Sequence, residues 1–280
     1  MVVFKKIVEL VEYLAQERKK GKRIGFVPTM GALHEGHISL VNRAKAENAI
    51  VVVSIFVNPT QFNNPDDLKK YPRTPSADHQ LLSHAGADVV FEPDVHEVYQ
   101  NGLHEGKSVD LGSLEKVLEG EHRPGHFNGV VQVVSRLFDI VLPDAAYFGE
   151  KDFQQLAVIR KMTSMLNYSV EIIGCETKRE KNGLAMSSRN LRLSTQEREM
   201  ASCIYRALQF VKENWQTKGV DVVVKEAIEQ INSTEVFKVE YLEIADSNTM
   251  QKLNSIEMKN ARVFAAVFCG EIRLIDNLAI

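Results

Sequence analysis

The chain has 280 residues, a formal charge of −3, 44% hydrophobic residues and 25% charged residues. This composition is typical of a globular protein that buries a sizeable core, and the length predicts one large domain or two unequal ones. No concentrated Lys/Arg tract is present, which argues against nucleic acid as a partner and favours small molecules. No apolar run approaches the roughly 20 residues of a membrane span, so no membrane association is expected.

The N-terminal segment predicts an amphipathic helix and not a targeting sequence. Ile7, Leu10, Val11 and Leu14 recur at helical spacing, and Gly21 follows a basic stretch in the position of a helix C-cap. These four apolar side chains are expected to face the core.

The three cysteines are far apart in the sequence, lie in apolar surroundings and form no CxxC pair: Cys175, Cys203 and Cys269. Without that spacing, neither a zinc site nor a redox pair is indicated. Buried, reduced thiols are expected, as in a cytoplasmic protein.

Strand and helix patterns alternate through the first 176 residues. Short apolar runs predict parallel strands in "RIGFVP", "AIVVVSIFVNP", "DVVF", "DAAYFGE" and "SVEIIGC". Helical spacing is found between these runs. One predicted helix begins near Gly36, a second ends near Gly86, a third begins at Gly129, and a fourth spans Asp152 to Leu166. This alternation predicts an α/β fold, a Rossmann-like doubly wound parallel sheet that binds ligands at the carboxyl ends of its strands.

The polar segment "ETKREKNGLAMSSRNLRLS" interrupts the alternation and predicts a domain boundary, with domains at 1–176 and 177–280. Ser194 and Glu197 form a capping-box pattern that opens a long helix. A second helix over Val220–Ile231 precedes three strand patterns, "VFKVEYLEIAD", "ARVFAAVFCG" and "EIRLIDN". A smaller α+β domain that covers the active site is expected here.

His34 and His37 lie three residues apart in "PTMGALHEGHISL", where a predicted strand gives way to a helix. Helix N-termini bind phosphate through unpaired N–H groups and the helix dipole, and imidazole N–H groups can stabilise charge there. Packing is an alternative, because His37 shares a helical face with Leu40 and Val41. A metal site is a third, although zincin helices space their histidines by four and no third ligand is evident.

Other polar segments follow predicted strands. No dinucleotide fingerprint or Walker phosphate loop is present. "FGEKDFQQL" places Lys151 where it can meet a phosphate, and Asp152 where it can accept from ribose hydroxyls or simply cap the helix. "AMSSRN" offers hydroxyl and guanidinium donors. "SIFVNPTQF" offers uncharged amides, although Asn58-Pro59 also explains a turn.

Taken together, "PTMGALHEGH", "SIFVNPTQF", "YPRT", "GEHRPGHFNGV", "FGEKDFQQL" and "GLAMSSRN" resemble the ordered motifs of the pantothenate synthetase family, the AMP-forming pantoate–β-alanine ligases. The resemblance spans most of Phe26 to Asn190. It also extends to the wider HxGH nucleotidyl transferase superfamily.

This resemblance implies a role for each matching residue. His37, His34 and Lys151 would be catalytic, Gln61 and Gln155 would bind pantoate, and Gln61 would also bind β-alanine. The residues implied to bind ATP are Met30, Gly31, Ala32, Leu33, His34, Glu35, Gly36, His37, Gly149, Glu150, Lys151, Asp152, Lys178, Met186, Ser187, Ser188 and Arg189. No protein ligand for a metal is assigned.

The implied reaction is ATP-dependent condensation of (R)-pantoate with β-alanine to pantothenate, AMP and pyrophosphate through pantoyl adenylate. ATP would be a substrate, Mg²⁺ would accompany it, and the enzyme would be a cytoplasmic homodimer. Adenylyl or cytidylyl transfer by another HxGH enzyme, and nucleotide binding without turnover, are the alternatives. "GEHRPGHFNG", with His122, Arg123 and His126, is interpreted either as part of a cover over the site or as an ordinary surface loop.

Overall fold

The computed structural model describes residues 1–103, 106–255 and 260–280. The chain divides into two units, each assembled from separate stretches. The first unit comprises Met1–Leu111, Arg123–Glu150 and Gln155–Glu176; the second comprises Gly112–His122, Lys151–Gln154 and Thr177–Ile280.

A six-stranded parallel sheet forms the centre of the first unit. Its strands are β1 (Val2–Phe4), β2 (Ile24–Thr29), β3 (Ile50–Ile55), β4 (Val89–Phe91), β5 (Ala145–Gly149) and β6 (Glu171–Cys175). They are ordered β1-β4-β3-β2-β5-β6, and each neighbouring pair is parallel. The order reverses between β2 and β5, the position where doubly wound sheets bind ligands beyond their carboxyl ends. The predicted fold class is confirmed.

Helices cover the sheet because its strands are apolar on both faces. Every residue of β3 is buried, as expected of a β-branched run inside a parallel sheet. The helices in this part of the chain are α1 (Ile7–Lys19), α2 (Glu35–Glu47), α3 (Pro65–Lys70), α4 (Pro75–His84), α5 (Val95–Val98), α6 (Glu119–His122), α7 (His126–Val141) and α8 (Phe153–Met165). Of these, α6 and the first two residues of α8 belong to the second unit.

The N-terminus differs from the prediction in two respects. A short strand, β1, precedes α1 and pairs with β4. Within α1, Leu10 and Leu14 are buried as expected, but Val11 is 39% exposed while Glu17 is buried. The buried face is therefore Leu10, Leu14 and Glu17, and the Glu17 carboxylate is paired with Lys20 and Lys22.

The second unit contains a three-stranded antiparallel sheet and helices packed on it. The sheet runs β7 (Phe237–Asp246), β8 (Ala261–Cys269) and β9 (Ile272–Ala279) in that order. The helices in this part of the chain are α9 (Thr195–Met200), α10 (Ser202–Lys218) and α11 (Val220–Asn232), and α11 matches the predicted second helix to within one residue. The core of the unit includes the predicted helical stripe Ile204, Leu208, Val211 and Trp215.

The capping box at Ser194 and Glu197 is present, but it opens a short helix and not the long one predicted. Helix α9 ends at Met200 and α10 begins at Ser202. The Ser202 hydroxyl donates to the Glu199 carbonyl at 2.7 Å, and serine side chains that bond to the preceding turn compete with helix continuation.

All three cysteines are free and buried, as predicted. Across the described ranges, no helix combines the length and the apolar character that crossing a membrane requires.

Candidate active site

The loop after β2 and the first turn of α2 carry most of the predicted nucleotide contacts of the first unit. Gly31 and Ala32 adopt left-handed backbone conformations, with φ of 77° and 48°. The backbone N–H groups of Ala32 and Leu33 donate to the Asp78 carboxylate at 2.9 and 2.8 Å. These bonds hold an alanine in a conformation that costs on the order of 1 kcal/mol or more. Asp78, which lies on α4 and is 1% exposed, therefore shapes this loop.

His34 and His37 form a reciprocal cap at the start of α2. His34 is the N-cap residue, and its Nδ1 accepts from the Gly36 N–H at 3.2 Å. Nδ1 of His37 accepts from the His34 N–H at 3.4 Å, and the two rings lie 4.1 Å apart between centroids. An acceptor at Nδ1 places the proton of a neutral imidazole on Nε2, where it can donate to an anion.

This geometry bears on the three interpretations of the histidine pair. His37 is half-buried and contacts His34, whereas Leu40, Val41 and Ala44 on the same helix are buried in the core. Among the described residues, no group of three His, Cys, Asp or Glu side chains is placed to hold a metal ion. Phosphate binding at the helix N-terminus is the interpretation that the arrangement supports best.

Gln61 lies in a 3₁₀ turn, Pro59–Gln61, beyond β3. Its Nε2 donates to the Met30 sulfur at 3.0 Å, so two predicted ligand-binding residues are in contact. Asn58 caps the turn, is 1% exposed, and donates from Nδ2 to the Gly129 carbonyl at 3.1 Å. Tyr99 donates to Asn58 Oδ1 at 2.9 Å, and burial raises the pKa of Tyr99 to about 12, which keeps its hydroxyl a donor.

The "GHFNG" part of the predicted cover segment supports this turn. His126, 6% exposed, is bonded through Nδ1 to the Gln61 carbonyl at 2.8 Å. Helix α7 begins at His126, three residues earlier than predicted. The surface-loop interpretation is therefore wrong for His126 and Phe127, which are both buried. A covering role for the segment stays a prediction.

Gly149, Glu150 and Gln155 complete the predicted set in the first unit. Gly149 is the last residue of β5. It lies at the carboxyl end of the sheet, beside the point where the strand order reverses. A methyl group built at Gly149 would meet no atom within 4 Å, so this backbone borders open space. On α8, Gln155 is half-buried, whereas Gln154 is 3% exposed and donates to the Leu114 and Val117 carbonyls.

Lys151 and Asp152 belong to the second unit and form a 3₁₀ turn ahead of α8. The Lys151 ammonium lies 3.7 Å from Asp152 Oδ1, and the lysine side chain is 17% exposed. The Lys151 carbonyl accepts from Asn277 Nδ2 at 2.8 Å. The turn is thereby attached to β9 of the same unit.

The serine/arginine segment is the other predicted phosphate site of the second unit. The Met186 N–H donates to the Lys178 carbonyl at 2.9 Å, which closes a hairpin. Ser187 then caps a 3₁₀ helix, Ser188–Arg192, by accepting from the Arg189 N–H at 3.3 Å. Ser187 and Arg189 are half-buried, and Ser188 is 5% exposed.

Asn190 fixes the end of this segment. It is 3% exposed, and its Nδ2 donates to Glu180 Oε1 and to the Ala185 carbonyl. A cavity of about 10 Å³ beside it is also lined by Lys151, Ser187 and Asp276. Two segments that are distant in sequence, one with Lys151 and one with Ser187, thus border the same small space.

Sequence reasoning missed several residues that shape the site. Asp78 carried no signal, because an acidic residue in a first helical turn is common. Asn58 and Asn190 stand inside "SIFVNPTQF" and "AMSSRN", but their long-range partners could not be inferred from those motifs. His126 lies in the predicted cover segment, but its bond to the Gln61 carbonyl could not be inferred from the sequence.

Comparison with known proteins identifies the family. The family described as "Pantoate-beta-alanine ligase" matches residues 2–279. Curated relatives named pantothenate synthetase include one from Porphyromonas gingivalis, 50% identical with 99% of each chain covered, and one from Bacteroides thetaiotaomicron, 50% identical with 99% of this chain and 98% of the relative covered.

Solved structures agree with this match. A pantothenate synthetase from Thermus thermophilus superposes with a TM-score of 0.92 at 43% identity, covering 99% of each chain. A pantoate-beta-alanine ligase from Francisella tularensis, complexed with beta-gamma ATP and beta-alanine, superposes with a TM-score of 0.83 at 37% identity, covering 100% of this chain and 97% of that one. On the strength of full-length matches in both sequence and structure, this chain belongs to the pantoate–β-alanine ligase family.

Proposed function

We propose that this chain joins pantoate to β-alanine while converting ATP to AMP and pyrophosphate, through a pantoyl-adenylate intermediate. The observation that carries the proposal is the match to the ligase family over residues 2–279. The Francisella relative, which is complexed with beta-gamma ATP and beta-alanine, supports the choice of nucleotide and of amine.

The chemistry explains why ATP is consumed. A carboxylate oxygen is a poor leaving group, so the pantoate carboxylate first attacks the α-phosphorus of ATP and the bond to pyrophosphate breaks. The β-alanine amine then attacks the activated carbonyl, loses a proton, and AMP departs as the carbon–oxygen bond breaks. Holding the reactants in line lowers the barrier to both steps, and excluding water protects the mixed anhydride.

The residues of the first unit receive the following roles. His34 and His37 donate to phosphate oxygens from the N-terminus of α2, where the helix dipole also favours negative charge. Gln61 and Gln155 hold pantoate, and Gln61 also contacts β-alanine. The other proposed ATP contacts in this unit are Met30, Gly31, Ala32, Leu33, Glu35, Gly36, Gly149 and Glu150.

The residues of the second unit receive phosphate-stabilising roles. Lys151 neutralises charge that grows during transfer of the adenylyl group, because an ammonium is a mobile point charge. Ser187, Ser188 and Arg189 offer donors to phosphate oxygens. The remaining proposed ATP contacts are Asp152, Lys178 and Met186.

Mg²⁺ is proposed to enter as part of the nucleotide substrate. No three metal-binding side chains cluster within the described part of the chain, so the donor set is not that of a protein metal cage. Mg²⁺ commonly keeps several waters and is held largely by substrate phosphates. A cytoplasmic homodimer is proposed on the family resemblance, and light scattering of the purified enzyme tests the dimer.

Pyrophosphate–ATP exchange tests the adenylate mechanism. With pantoate present and β-alanine absent, the enzyme is expected to exchange labelled pyrophosphate into ATP, and to release AMP once β-alanine is added. Exchange that does not require pantoate would reject the proposal. AMP release that is independent of β-alanine would also reject the ligase.

Substitution of the proposed catalytic residues tests their roles. We expect His37→Ala and Lys151→Ala to slow exchange about 100-fold or more, the usual cost of removing a group that stabilises transition-state charge. Pantoate affinity, measured by calorimetry, should change far less. His84→Ala and Lys212→Ala, at exposed positions, are the matched controls. Equal losses in exchange and in pantoate affinity would make these residues binders and not catalysts.

A further inference from the structure

Asp276 and Asn277 are adjacent residues of β9 that hold two separate predicted phosphate-binding segments. They are 5% and 4% exposed, so both side chains are buried polar groups. The large majority of buried polar side chains in proteins are hydrogen-bonded. Their partners here are residues of the second unit, to which β9 itself belongs.

Asn277 attaches the Lys151 turn to the sheet. Its Nδ2 donates to the Lys151 carbonyl at 2.8 Å, while its Oδ1 accepts from the Arg262 guanidinium. Both ends of the amide are used, so its orientation is determined. The Arg262 guanidinium also stacks on Phe153, and its Cζ lies 3.9 Å from the ring centroid. This stacking is a second contact between the sheet and the residues that follow Lys151.

Asp276 attaches the hairpin that precedes Ser187. Its carboxylate accepts two bonds from Arg179, at 2.6 and 2.9 Å. Arg179 also donates to the Gly183 carbonyl at 3.1 Å and stacks over Tyr205 at 3.9 Å. Bidentate Arg–carboxylate pairs fix direction as well as distance, so the base of the hairpin is held in one orientation.

The two anchored segments border the same cavity. Lys151, Ser187 and Asp276 line a space of about 10 Å³. A displacement of either segment therefore changes the distance between the Lys151 and Ser187 side chains. Misplacing a charge-stabilising group by about 1 Å can cost on the order of 100-fold in rate.

We propose that Asp276 and Asn277 are positioning residues for adenylate formation, which act by holding Lys151 and the Ser187 segment at a fixed separation. This inference rests on the proposed function, because it assumes that Lys151 meets phosphate. Neither residue contacts the reacting atoms in this proposal.

Asn277→Asp is the informative variant, because it keeps the shape of the side chain and the acceptor for Arg262. It removes the donor to Lys151 and places a second oxygen against that carbonyl. Asn214→Asp is the matched control: Asn214 also donates Nδ2 to a backbone carbonyl, that of Phe210 at 2.9 Å, within α10 of the same unit. Both substitutions add the same charge.

We expect Asn277→Asp to slow pyrophosphate exchange about tenfold or more at saturating ATP and pantoate, with ATP affinity changed by less than about threefold. In a Lys151→Ala background, the same substitution should change exchange by less than about twofold, because its effect passes through Lys151. Asn214→Asp should resemble the unaltered enzyme in both backgrounds. Equal losses from Asn277→Asp in both backgrounds would overturn the proposal.

Amide hydrogen exchange tests the anchor, which is the hydrogen bond from Asn277 to the Lys151 carbonyl, separately from the proposed function. Asn277→Asp should speed amide exchange in the peptide that contains residues 150–153, and Asn214→Asp should not. Unchanged amide exchange there would reject the anchor, whatever the activity. Faster amide exchange with full catalytic activity would reject the positioning role. Absence of pantoate-dependent pyrophosphate exchange in the unaltered enzyme would instead reject the proposed function.

If Asn277→Asp lowers the melting temperature below the assay range, Asn277→Ala serves instead. It removes the donor without adding a charge, and the same comparison with Lys151→Ala applies. A loss of exchange that persists undiminished in the Lys151→Ala background would count against the proposal for this variant too.

Discussion

Asp78 illustrates how a single buried carboxylate shapes the proposed nucleotide loop. It accepts from two consecutive backbone N–H groups, of Ala32 and Leu33, and also from the Thr74 hydroxyl at 3.0 Å. Carboxylate bonds to backbone N–H groups are charge-assisted and about twice as strong as neutral ones. The loop is therefore held in place by a side chain more than forty residues away.

The ionisation of the Cys269 thiol predicts a pH dependence of folding stability that can be tested. Burial, together with the neighbouring Glu197 carboxylate, raises the pKa of the Cys269 thiol to about 11 from its ordinary 9.0. Between these values the unfolded chain loses the proton while the folded chain keeps it, so the folded state binds more protons and its stability falls as pH rises. The contribution of the Cys269 thiol to folding stability is fully present below pH 9 and is lost as pH rises through about 11.

Urea unfolding at a series of pH values from 8 to 10.5 checks this decline in stability. The readout is the fluorescence of the single tryptophan, Trp215, which is buried in the same core as Cys269. Cys269→Ser removes the ionisation and should make the decline with pH shallower. An identical decline in the serine variant would show that Cys269 does not titrate as expected.

At the scale of elements, the start of α7 is set by what it packs against. Gly129 is buried against the 3₁₀ turn that carries Gln61, and the Gly129 carbonyl accepts from Asn58. Helical periodicity predicted the apolar stripe of α7 correctly, since Val130, Val133 and Val134 are buried. It could not reveal that the first turn extends to His126, because that turn is stabilised by a partner far along the chain.

Gly129→Ala tests this contact. A methyl group at Gly129 would lie 2.5 Å from the Thr60 carbonyl oxygen and 2.7 Å from Gln61 Cα, so the turn must move. We expect the KM for pantoate to rise about tenfold or more, because Gln61 shifts. Stability should fall by about 1–3 kcal/mol from overpacking, despite the better helix propensity of alanine.

Asn128→Ala is the control for this change, because Asn128 is exposed on the same turn of α7. It should leave the KM for pantoate unchanged. Steady-state kinetics and urea unfolding of both variants decide the matter, and a Gly129→Ala enzyme with normal KM and stability would contradict the packing argument.

At the scale of the whole molecule, the second unit depends on residues outside its long C-terminal stretch. Glu119 of α6 accepts two bonds from Arg273, each at 2.8 Å, and one from the Tyr241 hydroxyl at 2.7 Å. Burial and the Glu119 carboxylate raise the pKa of Tyr241 well above its ordinary value. The Glu119 N–H donates to Gln154 Oε1 at 2.9 Å. Three stretches of chain are thus joined by one buried polar network.

Residues 177–280 expressed alone test the sequence prediction of a domain with those limits. Without Glu119, Tyr241 loses the acceptor described above, and Glu240 is the carboxylate partner of Arg273 that remains among the described residues. Breaking a buried ion pair by removing one partner costs about 3–5 kcal/mol. We therefore expect the fragment to unfold at much lower urea than the same unit in the full chain, as reported by Trp215 fluorescence.

Full-length Glu119→Gln is the companion measurement. It keeps an acceptor for Tyr241 but removes the charge that faces Arg273, so an intermediate loss of stability is expected. A fragment that unfolds at the same urea concentration as the full-length unit would show that the network contributes little.

The fold class and most of the elements could be predicted from the sequence, because strand alternation, helical periodicity and capping residues act over a few neighbours. The motifs containing His34, Lys151 and Ser187 could likewise be found by resemblance, since each is a contiguous stretch. Only the tertiary structure decided which polar residues hold those motifs in place. The bonds of Asp78 to Ala32 and of Asn277 to Lys151 join residues distant in sequence, and no local pattern encodes such partners. Their strength arises from burial, which the folded chain creates.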